Sequence, residues 1–374
     1  MSKVKLGDVA EEVKETYDGK GNPAIVGLEH LVPGDIRLKS WSTDTDNTFT
    51  KAFHKGQVLF GRRRAYLKKA AVAPVDGICS GDITVISAKQ DKILPELLPF
   101  VIQNDDFFDY AVGKSAGSLS PRVKWSHLKE YEFNLPGMDQ QRQLANLLWH
   151  FVDAKEAYED LIHQTDELVK SQFIEMFGYP GRVNKGYQIK LLGDVCFVER
   201  GGSPRPISDF ITNAPDGLNW IKIGDADSGR YITHTAEKIK PEGLSKTRQV
   251  YVGDLLLSNS MSFGRPYILK IDGCIHDGWL VLHFDDKVMD AIFLQTFLSL
   301  PETFSAFEKM AEGAVVNNLN SSVVKKLPVL LPSIEQQRMY REVIEQSDKS
   351  KFELNEAIKD LDAMYKRIIK DNLG

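Results

Sequence analysis

Between Asn47 and Val75 the chain has no Asp or Glu, yet it carries Lys51, Lys55, Arg62, Arg63, Arg64, Lys68 and Lys69. A guanidinium fork pairs bidentately with guanine O6 and N7, and Lys or Arg neutralises a phosphate. Lys51 and the run Arg62, Arg63, Arg64, Lys68 and Lys69 therefore have the chemistry of a nucleic-acid contact, against the plainer reading of a solvated basic loop. A second set lies in Ser258-Asn259-Ser260-Met261-Ser262-Phe263-Gly264-Arg265. Asn259 has the amide that reads adenine and Arg265 the cation for guanine or phosphate; the plain alternative is a polar hairpin tip. Arg205, Lys222, Lys246 and Arg248 are further candidates. So are two late loops, Lys114 with Arg122 and Lys124, and Asn317 with Asn318, although Asn-rich turns are common.

Catalytic signatures are missing from the sequence. An amino-methyltransferase needs an Asn/Asp-Pro-Pro-aromatic element, and there is no Pro-Pro dipeptide. Gly113-Lys114-Ser115 imitates the end of a phosphate loop, but Phe108 stands where that motif needs Gly. Glu12-Val13-Lys14 has a nuclease-like form with no Pro-Asp before it. The histidines show no metal-ligand spacing, and Cys274, His276 and Asp277 are too close along one strand to meet as a thiol catalyst. The expectation is a binder with no metal and no cofactor. Cys79, Cys196 and Cys274 read as buried thiols of a reducing cytoplasm, and no apolar run has the length of a membrane span. The net charge of −5 is unusual for a nucleic-acid binder, but the acids gather elsewhere, as at Glu156, Glu159, Asp160, Asp166 and Glu167.

Those acids lie on the element that must hold the basic loops apart. Leu144, Leu147, Phe151, Ala154, Tyr158, Leu161, Thr165 and Leu168 step by three and four, the a/d seam of a heptad repeat. A helix of about 39 residues at ~1.5 Å each is a rod of roughly 58 Å. The plan then repeats. Lys5-Leu6-Gly7-Asp8-Val9 recurs as Leu191-Leu192-Gly193-Asp194-Val195, and Leu135-Pro136 with Gln140-Gln141-Arg142 recurs at an offset of 196 as Leu331-Pro332 with Gln336-Gln337-Arg338. The predicted organisation is a mixed α+β recognition domain over 1–137, a long helix over 138–178, a second recognition domain over 179–332 and a second long helix over 333–374. Ser333-Ile334-Glu335-Gln336 fits a capping box at the second helix start. Leu94 to Tyr110 reads as one helix. Two apolar seams of this kind pack most simply as an antiparallel pair. That pairing relates the halves by a pseudo-twofold axis and returns Gly374 to the first domain.

This whole-chain order resembles the specificity subunit of a type I restriction–modification system. The resemblance rests on Leu-Pro-x-x-x-Gln-Gln-Arg at both helix starts, Gly201-Gly202-Ser203-Pro204 followed by Trp220-Ile221-Lys222-Ile223-Gly224-Asp225, and Gly253-Asp254-Leu255-Leu256-Leu257-Ser258. It implies a non-catalytic subunit whose two domains each read half of a bipartite site in double-stranded DNA. The helices would set the spacing and dock methyltransferase subunits, expected as a pair, with restriction/translocase subunits as further partners. Gln140, Gln141, Arg142, Gln336, Gln337 and Arg338 are the docking candidates. The first domain lacks the Gly-Gly-Ser-Pro element and has Gly61-Arg62-Arg63-Arg64 where the second has Asn259-Ser260-Met261, so the two should read different sequences. A coiled-coil adaptor that binds proteins through its two domains is the competing expectation.

Overall fold

The computed structural model describes residues 2–19, 21–44, 46–179, 186–226, 229–259, 264–311 and 319–374. The chain is mixed α+β and forms two compact units, Met1–Leu161 with Glu353–Gly374, and Ile162–Phe352.

In the first unit β1 (Ser2–Lys5) leads through α1 (Leu6–Val9) into β2 (Ala10–Val13). A four-stranded antiparallel sheet runs β2, β8 (Ile83–Ala88), β5 (Val58–Gly61), β6 (Ala70–Val72). A three-stranded sheet runs β3 (Ala24–Val26), β7 (Gly77–Cys79), β4 (Lys51–Phe53), with β3 parallel to β7. The β-branched and apolar runs of β5 and β8 are largely buried. The single helix expected over residues 94–110 is instead two, α2 (Leu98–Ile102) and α3 (Asp105–Gly113). Asn104 makes the break, because its side chain accepts from the Asp106 backbone N–H and starts a new helix. Gln103 beside it donates from Nε2 to the carbonyls of Asp35 (3.0 Å) and Ala70. After α4 (Trp125–Leu128), β9 (Glu132–Leu135) pairs back with β1 and leads into α5 (Met138–Phe177).

The second unit repeats this topology. β10 (Gln188–Leu191) pairs with β21 (Pro328–Leu331), and α6 (Leu192–Val195) follows β10 as α1 follows β1. One sheet runs β11 (Phe197–Arg200), β20 (Trp279–His283), β17 (Leu255–Ser258), β18 (Pro266–Leu269), β14 (Tyr231–Ile232). The other runs β12 (Ile211–Thr212), β15 (Glu237–Ile239), β13 (Leu218–Ile221), β19 (Gly273–Ile275), β16 (Arg248–Val250). The order β2-β8-β5-β6 thus recurs as β11-β20-β17-β18, and β3-β7-β4 as β13-β19-β16, including the parallel pair in each second sheet. Among the described residues three extra strands, β12, β14 and β15, distinguish the second unit. The helices α7 (Ala291–Ser299), α8 (Pro301–Ala311) and α9 (Ser321–Val324) precede α10 (Ile334–Leu373).

The repeated Gln-Gln-Arg element has a structural use that the sequence reading did not foresee. Gln141 accepts at Oε1 from the Leu94 N–H and donates from Nε2 to the carbonyls of Lys92 and Pro136. Gln337 does the same with the Asp290 N–H and the carbonyls of Val288 and Pro332. Every partner is displaced by the same 196 positions. These two side chains are buried and used up by backbone, so they are not presented to a docking partner. Of the other docking candidates, Gln140, Arg142 and Arg338 are exposed. Gln336 forms the expected capping box with Ser333, each side chain accepting from the other's backbone N–H, and also donates to the Tyr187 hydroxyl.

Within each unit the two long helices run antiparallel. In the first, Leu144, Ala145 and Leu148 share a core with Ile369 and Leu373, Lys155 pairs with Asp362 at 2.9 Å, and Asn134 donates to the Gly374 carbonyl. The chain end therefore returns to the N-terminal domain, as the seam argument requires. In the second, Phe173 and Phe177 stack among Phe293, Tyr340 and Ile344, and Lys351 pairs with Asp166 at 2.8 Å. The predicted stripe on α5 holds at Leu144 but shifts by one residue beyond it: Leu147, Leu161 and Leu168 are exposed, while Ala145, Leu148 and Val169 are buried. Each end of α5 packs on a domain core as well as on a helix, so its buried face is not a pure a/d seam.

Candidate nucleic-acid interface

In the first unit three loops converge: residues 62–69 after β5, the Ser80–Asp82 turn before β8, and residues 114–124. Backbone hydrogen bonds tie them, from Arg62 N to the Asp82 carbonyl (2.9 Å), from Arg64 N to Pro121 (2.7 Å) and from Val123 N to Arg62 (3.0 Å). Asp82 holds the cluster together. Its carboxylate accepts from Arg122 at Nε (2.6 Å) and Nη2 (3.1 Å) and from Arg63 Nη1 (3.5 Å), and Arg63 donates onward to Ser120 Oγ (3.1 Å). The Arg122 hydrogen bond, with the charges of Arg122 and Arg63, holds this carboxyl below its ordinary range. The result is a cationic surface in which one acid fixes two guanidinium groups and leaves others unspent. The side chains of Arg64 and Lys124 are exposed and have no ion pair among the described residues.

The other candidates of this unit divide. Arg62 is half-buried at the same junction, and Lys114 is exposed with its ammonium 5.7 Å from the Tyr110 ring. Lys68 pairs with Asp105 at 2.7 Å. Lys51 and Lys69 are half-buried and each donates to a backbone carbonyl, of Ile83 and Leu28, both at 2.7 Å, which holds the ammonium in place without neutralising its charge. Gly113-Lys114-Ser115 ends α3, with Ser115 Oγ donating to the Ala111 carbonyl, so it is no phosphate cradle.

The second unit has a carboxylate at the equivalent turn. Asp277 accepts from Ser203 Oγ (2.8 Å) and Arg205 Nη2 (3.5 Å), and its carbonyl accepts from Arg200 Nε (3.0 Å) and Asn259 Nδ2 (2.9 Å). Burial would raise its carboxyl, but the Ser203 hydrogen bond and the neighbouring His276 and Arg205 hold it below the ordinary value. The two glycines before Ser203 are required by close packing. A Cβ on Gly201 would stand 2.2 Å from the His276 carbonyl oxygen, and one on Gly202 would stand 2.7 Å from that of Lys246. Asn259 corrects an expectation: its side chain is buried against Asp277 and positions the loop, so it is not poised to read a base. Lys222 and Arg248 are paired with Glu237 (2.8 Å) and Glu199 (3.5 Å). Arg205, Lys246 and Arg265 are exposed, Lys246 lying 5.0 Å from the Phe210 ring. Asn317 and Asn318, like residues 260–263, lie outside the described residues.

Sequence reasoning missed Asp82 and Asp277 because it searched for cations. The available signal was their shared place, one or two residues before the apolar strands β8 and β20 in both halves. His276, beside Asp277, has both ring nitrogens facing backbone N–H groups, Gly278 at 2.7 Å and Ile223 at 3.0 Å. Burial pushes its pKa below the ordinary 6.5, against the pull of Asp277. The unfolded chain therefore takes up this proton first as pH falls. Stability should be full above about pH 6.5 and decline below it. Urea midpoints at pH 7.5 and 5.5 for the wild type and His276→Gln check this, the variant losing less on acidification.

Among the described residues no group of His, Cys, Asp and Glu is arranged to hold a metal ion, and no helix is long and apolar enough to cross a membrane. All three thiols are free and buried, and burial pushes Cys79 and Cys196 up to about 12 and Cys274 up to about 11.

The chain is similar in sequence and in fold to known proteins. Residues 184–361 match the family described as the type I restriction modification DNA specificity domain. The chain resembles the type I restriction enzyme EcoDI specificity subunit of Escherichia coli, 26% identical over 163 residues, which are 43% of this chain and 35% of that protein. The chain thus spans about a third of that curated relative's length. Among solved structures, one described as the structural basis of complex assembly and conformational transition of the type I R-M system superposes with a TM-score of 0.63, 22% identity and coverage of 99% and 97% of the two chains. The type I restriction-modification S subunit from M. genitalium superposes with a TM-score of 0.57, 13% identity and coverage of 100% and 96%. Residues 184–361 are thus similar in sequence to that family, and the whole chain has the fold of these solved structures.

Proposed function

We propose that this chain is the DNA sequence-recognition subunit of a type I restriction–modification complex, without a catalytic centre of its own. The observation that carries this reading is the recurrence of one strand order in both units, each with a carboxylate-anchored basic loop set at the same topological position. Two such sites in one chain suit two half-sites of a bipartite duplex target. The convergent cations of the first unit, Arg62, Arg63, Arg64, Lys114, Arg122 and Lys124, contact one half. Arg205, Lys246 and Arg265 contact the other. Asn317 and Asn318 stay candidates for the second half by sequence alone. The long helices set the gap between half-sites and, through exposed residues such as Gln140, Arg142 and Arg338, dock methyltransferase subunits, to which restriction/translocase subunits add.

Genome-wide methylation mapping in cells with and without the gene tests the reading and names the target. Inserting one heptad into both helices is expected to change the gap between the half-sites and leave each half-site unchanged. An unaltered gap removes the spacing role. If the purified chain with its methyltransferase partner shifts no duplex at low salt, the DNA-recognition reading fails and a protein-binding adaptor takes its place.

A further inference from the structure

Among the described residues, only two non-glycine residues adopt a positive φ, Arg64 at 55° and Lys68 at 50°. They are the caps at the two ends of one 3-10 turn, Ala65–Leu67, in the middle of the basic loop of the first unit. A left-handed conformation is unfavourable for a residue with a Cβ, and such strain persists only where the surroundings hold it. Here the holding is visible. Arg64 N donates to Pro121 (2.7 Å), Lys68 N donates to Ala65 (2.9 Å), and the Lys68 ammonium is clamped by Asp105 (2.7 Å). The turn is fixed at the root by Ala65, which is fully buried. It lifts the next two side chains outward, so that Tyr66 is 53% exposed and Leu67 39%.

Tyr66 and Leu67 thus stand exposed within the same 62–69 loop that carries Arg62, Arg63 and Arg64. A polyanion with flat apolar faces answers both features, and nucleic-acid bases have such faces at every step. Apolar side chains of this kind enter between base pairs, partly unstack them and kink the duplex. We propose that Tyr66, backed by Leu67, is a wedge that inserts at a base step in the half-site read by the first unit. The two strained residues hold it at a fixed height. This rests on the DNA-recognition reading above.

The test uses the full chain with its methyltransferase partner and a duplex holding the mapped target, with 2-aminopurine placed at successive positions of the first half-site. The wild type should brighten the probe at one step. Tyr66→Ala should abolish that signal and weaken binding about tenfold to a hundredfold, the range of a lost aromatic–base stack. Tyr66→Phe should retain both, since the ring and not the hydroxyl does the work. Tyr66 is exposed, so its thermal midpoint should not move. Arg64→Gly should raise the midpoint, because the strain is relieved, and dim the probe. Equal binding and equal fluorescence in the wild type and Tyr66→Ala overturn the wedge while leaving DNA recognition intact. Loss of methyltransferase binding in Tyr66→Ala, with DNA binding kept, assigns the ring to a protein contact and also overturns it. No binding of the duplex by the wild type removes the parent reading instead.

Discussion

Gln337→Ala is expected to destabilise the second unit by about 3 kcal/mol or more. The side chain is fully buried and serves three backbone groups, the Asp290 N–H and the carbonyls of Val288 and Pro332. Leaving a buried polar group without a partner costs about 1–3 kcal/mol, and here three are orphaned at once. The loss also undoes a junction. Asp290 caps α7 by accepting from the N–H groups of Ile292 and Phe293, and Arg341 of α10 pairs with its carboxylate. Gln337→Glu is no rescue, since a buried carboxylate would face two carbonyl oxygens. Gln141→Ala should have a similar effect in the first unit, where Leu94, Lys92 and Pro136 are the partners. Urea unfolding followed by circular dichroism reads both, with the exposed Gln140→Ala as a near-silent control. Full stability of the alanine variants with loss of methyltransferase binding would restore these residues to a docking role.

Alanine at Arg62, Arg63 and Arg64 together should cost about 3 kcal/mol or more of DNA affinity, at roughly 1–3 kcal/mol for each base-reading arginine. How the loss divides says which contacts are made. Each phosphate contact removed flattens the dependence of log K on log salt by about 0.9, whereas a lost base contact relaxes specificity at one position and leaves that slope alone. Arg64, free of ion pairs among the described residues, should account for a slope change by itself. Arg63 is bound to Asp82 and Ser120, so its loss should loosen the 114–124 loop as well. Titrations from low to moderate salt with the mapped duplex and a scrambled one separate the two effects. An unchanged slope and affinity would exclude all three arginines from the interface.

The architecture of repetition is legible in the order of residues alone. The offset of 196 between Gln140-Gln141-Arg142 and Gln336-Gln337-Arg338, the paired Leu-Gly-Asp-Val elements and the heptad-like apolar spacing were enough to expect a duplicated α+β unit with two long helices. These are local or periodic signals, and helix period and strand composition act over short stretches of chain. The capping box at Ser333 was legible for the same reason. What each conspicuous residue does depends on partners brought to it by folding. Gln141 and Gln337 look like surface amides until the loop before the domain's helices, some 50 residues away, supplies their backbone partners. The arginines of the 62–64 run look equivalent until Asp82 and Ser120 claim Arg63 and leave Arg64 free. Lys51 and Lys69 look like freely moving cations until distant carbonyls hold their ammonium groups in place. Leu147 and Leu161 look like seam residues until the domain cores rotate the buried face by one position. In each case the deciding group is remote in sequence. A residue's type sets which partners suit it, and the packing of distant chain sets whether those partners are already supplied.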